Sequence, residues 1–196
     1  SQAGVAAYSL DLADVRVVDA LLAPAGLTGD AATRLHQALA RKDAAAIDEL
    51  TEALLPAVRD AVRALPHLFG DVSVLQRARK VLPASPLLHT ALDELGAIAQ
   101  AAQAMGMNVG IDLADLRGYA YYTAIRFSVY ATAADGVRQL ELVRGGRYDE
   151  VGAIFGRRRP AVGFSIDVKE LAATVQVPAL RRVIRAPWGQ DAGLAQ

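Results

Sequence analysis

The apolar residues recur with a helical period through the middle of the chain and with a strand period on either side of it. Residues 5–10 alternate as a short half-buried strand does, and residues 13–23 carry an apolar face that Pro24 and Gly26 end. That face consists of Val17, Val18, Leu21 and Leu22. The sequence therefore predicts one strand and one helix ahead of a long helical segment, residues 28–106.

Five helices are predicted within this helical segment. Asp30 and Asp43 are suited to cap the first two, because a carboxylate can accept hydrogen bonds from the free N–H groups at a helix start. Pro56 fits the first turn of the third helix, and Ser85 begins the fifth and longest. The longest helix carries an apolar stripe that predicts core packing and contains Leu88, Leu92, Leu95, Ala99 and Ala102.

Beyond the helical segment the apolar period changes to two. The pair Asp135 and Gly136 is favoured in the turn of a hairpin. The predicted elements are strands over 109–113, 125–131, 137–143, 160–166 and 182–185 and a helix over 167–174. Helices inserted into an antiparallel meander define an α+β fold.

This α+β arrangement divides the chain into four segments. They are a core strand and helix, 1–27; the helical segment, 28–106; an antiparallel core, 107–176; and a linker with the start of a truncated C-terminal region, 177–196. The first strand has no preceding partner in the sequence, so we expect an incomplete sheet whose open edge is covered by another chain, or a rearranged sheet.

Composition narrows the class of protein. With 53% hydrophobic and 21% charged residues the chain is typical of a globular domain, and its apolar runs are too short for a membrane span. Lys plus Arg equals Asp plus Glu at 21 each, which argues against a nucleic-acid partner. The absence of cysteine and of a secretory signal indicates a cytoplasmic protein. The three histidines lack metal-ligand spacing, so neither a metal nor a cofactor is predicted.

Arginine, tyrosine and glycine concentrate between residues 117 and 171, which makes this stretch the candidate site. One cluster contains Arg117, Tyr121 and Tyr122, and a second contains Gly145, Gly146 and Arg147. Paired glycines between arginines suit an anion or amino-acid pocket at a sheet edge, because glycine lets backbone and ligand approach closely. The alternative is a tight turn whose arginines are solvated.

Two runs within this stretch resemble a known family. RGYAYYTAIRFSVY, residues 117–130, resembles the histidine-specific segment of histidyl-tRNA synthetases, and RGGRYDEVGAIFGRRRPAVGFSIDVKEL, residues 144–171, resembles their glycine-rich strand and third class II motif. The resemblance implies a class II synthetase-like antiparallel sheet with a helical insertion. It also implies that Arg117 binds a carboxylate while Tyr121 and Tyr122 line an imidazole-sized pocket. Alternatively, the tyrosines pack on opposite faces of a strand and Arg117 forms a surface ion pair.

Three departures from the synthetase pattern argue against adenylate chemistry. Ala120 replaces the aspartate of the histidine-specific segment, and Asp167 and Glu170 stand where the third motif has a glycine and an arginine. A carboxylate beside a polyphosphate replaces attraction with repulsion. Loss of these ATP-site positions makes the chain similar to the synthetase relatives that serve as regulatory subunits of ATP phosphoribosyltransferase.

The resemblance to these regulatory subunits implies a function without catalysis. Such a subunit activates the short-form catalytic subunit at the first step of histidine biosynthesis, in a hetero-octamer, with free histidine as the feedback signal. It forms a homodimer through the synthetase-like core, and tRNA is not an expected partner. The basic run 157–159 is predicted to be an exposed loop, or a contact for an acidic partner surface. Two alternatives stay open: a fragment of a histidyl-tRNA synthetase, and a free-standing amino-acid-binding module.

Overall fold

A computed structural model describes residues 8–133 and 135–174 of the chain. The helices are α1 (Val15–Leu22), α2 (Gly29–Arg41), α3 (Ala44–Thr51), α4 (Pro56–Ala64), α5 (Val74–Val81), α6 (Pro86–Ala104) and α7 (Val168–Thr174). The strands are β1 (Tyr8–Asp14), β2 (Phe69–Gly70), β3 (Asn108–Asp112), β4 (Ile125–Thr132), β5 (Gln139–Arg147) and β6 (Val162–Ile166). The predicted strand over 182–185 and the linker from 177 lie outside the described residues.

The six strands form one sheet in the order β2-β3-β1-β4-β5-β6. Every neighbouring pair is antiparallel except β1 and β3, which run parallel. The α+β prediction is confirmed, but the sheet is mixed rather than wholly antiparallel. The reason is that the helical segment connects β1 to β3 as a crossover, and a crossover returns the chain in the same direction.

One face of the sheet is apolar and is covered by helices. Leu10 and Leu12 of β1 lie opposite Val129 and Phe127 of β4, so these four side chains share a face. Helix α6 packs across β1 and β3, and α1 packs against α6. The predicted α6 stripe is buried along its whole length, as expected of core packing.

The other face of the sheet is polar, because the alternate residues of the same strands point there. Arg126, Ser128 and Tyr130 of β4 pair with Ala13, Asp11 and Ser9 of β1. A strand with one face in the core and one face polar is typical of an antiparallel sheet. The candidate site lies on this polar face.

Helix caps follow the prediction at two of three starts. The Asp43 side chain accepts from the N–H of Ala46 at 3.1 Å, and Ser85 Oγ accepts from the N–H of Leu88 at 3.2 Å. The cap assigned to Asp30 is wrong, because α2 begins two residues earlier than that cap implies and Thr28 occupies the cap position. Asp30 lies instead in the first turn, where its negative charge interacts favourably with the positive end of the helix dipole.

The first strand and helix are displaced from their predicted bounds. Residues 5–7 lie outside the described part, but β1 continues through Ala13 and Asp14, which pair with β4. The following helix therefore begins at Val15 rather than at Ala13. Asp14 ends the strand and caps the helix, accepting from the N–H of Arg16 at 2.9 Å.

The glycine pair lies inside a strand, as the resemblance to the glycine-rich strand of the synthetases implies, and not in the tight turn that was the alternative. Gly145 and Gly146 pair with β4 on one side and with β6 on the other, so they are not at a sheet edge. The predicted hairpin partner of β4 is correct, but it continues to Arg147 rather than ending at Val143. Pairing on both sides supplies the hydrogen bonds that hold glycine extended against its low strand propensity.

The described part of the chain contains neither a membrane-spanning helix nor a metal-binding cluster of side chains. No helix in residues 8–133 or 135–174 is long and apolar enough to cross a bilayer. Within the same residues, no group of three or more histidine, aspartate and glutamate side chains could hold a metal ion.

Candidate functional site

A cavity of about 540 Å³ opens on the polar face where β4 and β5 meet the loop that precedes β4. Its walls are rich in arginine and tyrosine: the lining residues are Arg117, Gly118, Tyr121, Tyr122, Arg126, Glu141, Arg144, Tyr148 and Val151. A concave site with aromatic walls and a few convergent charged groups is the usual form of a small-molecule pocket.

The loop before β4 turns tightly at Gly118. Its φ of 74° lies in the left-handed region, and an added Cβ would lie 3.1 Å from the Tyr122 ring, so a larger residue is disfavoured twice. The N–H groups of Tyr121 and Tyr122 both donate to the carbonyl of Gly118, at 2.9 and 3.3 Å. The alternative that placed these tyrosines on a strand is therefore wrong. Tyr121 is 71% exposed at the cavity mouth, whereas Tyr122 is half-buried.

Two tyrosine rings lie over glycines of the polar face. A Cβ at Gly146 would come within 2.6 Å of the Tyr122 ring and of the Ile125 carbonyl oxygen. A Cβ at Gly163 would come within 1.8 Å of the Tyr148 hydroxyl. Gly146 and Gly163 are paired across β5 and β6. The missing side chains thus make room for the two rings that form the cavity wall.

Asp115 holds two arginines at once. Its carboxylate accepts from Arg117 Nε at 2.9 Å and from Arg117 Nη2 at 2.7 Å, and it also accepts from Nη1 of Arg126. Arg117 Nη1 lies 3.2 Å from the Tyr130 hydroxyl. The surface ion pair offered as the alternative for Arg117 is therefore present, and it belongs to the cavity. Burial would raise the pKa of Asp115, but hydrogen bonds from Arg117 and the charge of Arg126 outweigh it and hold that pKa below its usual value.

The same network continues to the far wall of the cavity. Arg126 Nη2 donates to Ser128 Oγ at 2.8 Å, and Ser128 Oγ donates to Glu141 at 2.7 Å. Glu141 also accepts from Arg144 Nη2 at 2.7 Å. Arg126 is only 4% exposed, while the Arg117 and Arg144 side chains are more than half exposed. The cavity floor is thus one chain of ion pairs with a buried cation at its centre.

The six residues predicted to bind a ligand do not all meet. Arg117, Tyr121 and Tyr122 line the cavity together, and Gly146 contributes by accommodating Tyr122. Gly145 faces the other side of the sheet, where an added Cβ would meet Phe127 and the first carbon of Phe164. Arg147 also faces that side, opposite Val162, and donates to Asp149 at 2.9 Å. The Arg147–Asp149 pair holds the loop after β5, since Asp149 also accepts from the N–H of Ala161.

The two altered ATP-site positions lie at the start of α7. Asp167 caps this helix by accepting from the N–H of Glu170 at 3.0 Å, and its own N–H donates to the Leu142 carbonyl at 2.9 Å. Among the described residues that line the 540 Å³ cavity, neither Asp167 nor Glu170 is present. The basic run 157–159 is exposed, as predicted.

Sequence reasoning did not assign Asp115, Arg126, Glu141 or Tyr148 to the site. A partial signal existed for one of them. Arg126 is the first of four polar residues at alternate positions in an otherwise apolar strand, which places them on one face. Spacing along a strand cannot show that Arg126 is buried under a loop.

Stacked aromatic rings join the helical segment to the site loop. His36 of α2 and Tyr119 lie with ring centroids 4.6 Å apart and planes 7° from parallel. His36 Nδ1 donates to the Ala32 carbonyl at 2.7 Å, and Nε2 lies 3.7 Å from Asp19 of α1. Burial alone would lower the pKa of His36, but Asp19 and the Ala32 carbonyl raise it above its usual value. These contacts give His36 a structural role between α1, α2 and the site loop.

Comparison with known proteins identifies the family to which this fold belongs. The family model described as histidyl-tRNA synthetase matches residues 1–171. The chain therefore belongs to the histidyl-tRNA synthetase family. Among solved structures it is similar to one titled as an ATP phosphoribosyltransferase regulatory subunit/histidyl-tRNA synthetase from Bacillus halodurans, with a TM-score of 0.73 and 25% identity. That alignment covers 89% of this chain and 46% of the other, and it confirms the class II synthetase fold.

Curated relatives narrow the resemblance within that family. The chain is 49% identical, over 98% of its length, to the ATP phosphoribosyltransferase regulatory subunit of Acidovorax sp. (strain JS42). It is 47% identical over its whole length to the protein of the same name from Ralstonia nicotianae. The chain spans 49% of each of these relatives, about half their length. The resemblance to regulatory subunits inferred from the two sequence runs is thereby confirmed.

Proposed function

We propose that the chain works as part of a non-catalytic regulatory subunit. It binds the catalytic subunit of a short-form ATP phosphoribosyltransferase and activates it at the first step of histidine biosynthesis, in the cytoplasm. One observation carries this proposal: relatives that are 47–50% identical over 95–100% of the chain bear the name of that subunit. Activation by a subunit without its own chemistry requires that it bind the active conformation of its partner more tightly than the inactive one.

We infer further that free histidine is the ligand of the 540 Å³ cavity and the signal for feedback control. The cavity has the size of a small-molecule site, and its tyrosine rings offer flat apolar surface to an imidazole. The hydrogen-bonded network of its floor contains three guanidinium groups and two carboxylates, and Asp11 lies beside it on the same face. Arg117 and Arg144 are both more than half exposed, and Arg117, which lies on the same loop as Tyr121 and Tyr122, is the one that would bind a ligand carboxylate.

Aminoacylation is not part of the proposed function. The third-motif positions that attract ATP in synthetases are occupied by Asp167 and Glu170. At an effective dielectric near 20, two unit charges about 4 Å apart interact by roughly 4 kcal/mol, so reversing one sign beside a triphosphate is a large change. The chain uses Asp167 instead as a helix cap.

The proposed assembly is a homodimer through the synthetase-like core, joined to catalytic subunits in a hetero-octamer. On the apolar side of the sheet, Val162, Phe164 and Ile166 of β6 are 48–75% exposed. Adjacent exposed apolar residues on an edge strand favour a covered surface in the working protein. Mass photometry of the protein with and without the catalytic subunit tests the stoichiometry. A protein that stays monomeric in both samples would contradict it.

Two assays on the whole gene product test the proposed function side by side. The first measures formation of phosphoribosyl-ATP by a short-form catalytic subunit with and without this protein, and then with added histidine. The second measures histidine-dependent pyrophosphate exchange. We expect stimulation in the first assay, suppression of that stimulation by histidine, and no exchange in the second. Robust exchange would identify a synthetase, whereas histidine binding without stimulation would identify a free-standing amino-acid-binding module.

A further inference from the structure

Arg126 is the charged residue of the cavity that the proposed function does not yet use. It is 4% exposed and lies on β4 beneath the site loop. Its two Nη atoms are bonded to Asp115 and Ser128, while its Nε has no hydrogen-bond partner among the described residues. Burying a guanidinium is costly unless its donors are satisfied, so a half-satisfied buried arginine requires an explanation beyond packing.

Arg126 supplies the unbalanced charge of the ion-pair network. Arg117 is neutralised by Asp115, and Arg144 is neutralised by Glu141. Arg126 contacts the first of these pairs directly and the second through Ser128. With Arg126 the network carries one positive charge; without it the network is neutral.

Arg126 also fixes the orientation of Arg117. The Arg117 side chain is 55% exposed and would be free to adopt many rotamers, but Asp115 holds its Nε–Nη2 edge. Asp115 is itself held from below by Arg126. Immobilising a long side chain before a ligand arrives removes part of the entropic penalty of binding. One hydrogen on Nη1, which also bonds to the Tyr130 hydroxyl, and one on Nη2 of Arg117 are then left for a ligand.

Acidic groups lie beside this network on the same face. Asp11 of β1 is opposite Ser128, interacts with the charges of Arg117, Arg126 and Asp115, and lines an adjoining cavity with Asp71 and Asp112. Asp11 therefore offsets the positive charge of the hydrogen-bonded network, and removal of Arg126 would leave carboxylates in excess at this part of the face.

We propose that Arg126 is the positioning residue that makes the cavity selective for a ligand with a carboxylate. It acts through Asp115 and Arg117 and is not itself the guanidinium that binds the carboxylate. The inference rests on the proposed function, in that the carboxylate ligand is taken to be histidine. It adds the residue that decides between histidine and its decarboxylated analogue, histamine, which has the same ring but no carboxylate.

The test compares the affinities of histidine and histamine for the whole protein by calorimetry. Low salt and about pH 8 are used, where imidazole is neutral and screening is weak. Arg126→Gln keeps amide donors near Asp115 and Ser128 but removes the charge, and Arg126→Lys keeps the charge. We expect Arg126→Gln to lower the ratio of histidine affinity to histamine affinity about tenfold, which is about 1.4 kcal/mol. Arg126→Lys should restore most of that ratio.

A second variant keeps the test decisive if changes at the buried arginine prevent folding. Glu141→Gln removes a carboxylate at the partly exposed end of the network, so we expect the ratio to rise several-fold. Equal loss of histidine and histamine affinity in Arg126→Gln, or an unchanged ratio in Glu141→Gln, would overturn the inference while leaving the proposed ligand intact. Failure of the native protein to bind either compound would overturn the ligand assignment and the inference together.

Discussion

The two faces of β4 show how differently one strand can be used on its two sides. Phe127 and Val129 point to the helices and join a continuous apolar core. Arg126, Ser128 and Tyr130 point to the cavity and enter a chain of hydrogen bonds. The apolar face is stabilised by contact with many neighbours, whereas each group on the polar face depends on one or two named partners. Substitutions on the apolar face should therefore mainly lower the stability of the fold, and substitutions on the polar face should mainly change ligand selection.

The largest effect on stability is expected from the apolar face. Leu92 of α6 is fully buried, and Leu92→Ala should lower the free energy of unfolding by about 2–5 kcal/mol, because the cavity left behind adds to the lost transfer free energy. Denaturant unfolding measures the change. Leu87→Ala, on the exposed side of the same helix at 43% exposure, is the control and should cost far less. Similar losses for both leucines would mean that the helix layer is not the core of this fold.

The next effect tests the polar face through ligand binding. Arg117→Ala should weaken histidine binding by roughly 1.5–3 kcal/mol, the usual contribution of a hydrogen bond to a charged group. Asp115 keeps Arg126 as a partner, so the fold should survive the change. Calorimetry gives the affinity, and Arg138→Ala, an exposed ion-paired arginine near the hairpin turn, is the control. Unaltered histidine affinity in Arg117→Ala would remove the carboxylate role of this arginine.

A glycine-to-alanine change in β5 tests the polar face in a second way. Gly146→Ala drives a methyl group into the Tyr122 ring and the Ile125 carbonyl, so it should cost about 1–3 kcal/mol and also weaken ligand binding. Gly96→Ala is the matched control, because its methyl group would lie 3.4 Å from Leu75, in ordinary contact. Thermal unfolding and histidine titration of both variants check the prediction. Native-like histidine binding by Gly146→Ala would show that Tyr122 does not contribute to the ligand-binding wall of the cavity.

The smallest effect concerns the stacked pair between the helices and the site loop. The folded pKa of His36 is raised above the unfolded value of 6.5, so its stabilisation is present below pH 6.5 and is lost as pH rises through the folded pKa. His36→Gln should therefore lower the free energy of unfolding by about 1 kcal/mol below pH 6.5, and by less once the pH exceeds the folded pKa. The free energy of unfolding is measured from below pH 6.5 to above the folded pKa. His89→Gln, at an exposed histidine, is the control. A cost that grows with rising pH would contradict the assigned direction.

Local patterns were enough to predict most helices and the strand-rich core. The α6 stripe is unambiguous because its apolar residues recur every three to four positions over about four turns. The parallel pairing of β1 with β3 could not be predicted in this way, since its partners are brought together only by the folded crossover. The same limit explains β5: two glycines suggest a turn, and only pairing on both sides keeps them extended.

The site was predictable where it is local in sequence. Arg117, Tyr121 and Tyr122 lie within one loop, and a tight turn at Gly118 brings them to the same cavity. Arg126 and Glu141 enter through register across two strands, which the sequence does not specify. Arg147 was misplaced because adjacent residues on a strand point to opposite faces, so it cannot share a pocket with a ligand above Gly146.

The parallel alignment of β1 with β3 has a consequence for how the protein reaches its native state. Residues 9–12 find residues 108–111 only after the intervening chain has collapsed into helices, so this contact has a high sequence separation. Closing so long a loop is entropically unfavourable until packing of the helices compensates for the lost entropy. Contacts of this kind therefore slow folding. The hairpin of β4 and β5 closes a much shorter loop. The hairpin that carries Arg126 and Arg144 is therefore expected to form early, with β3 docking onto β1 as a late event in folding.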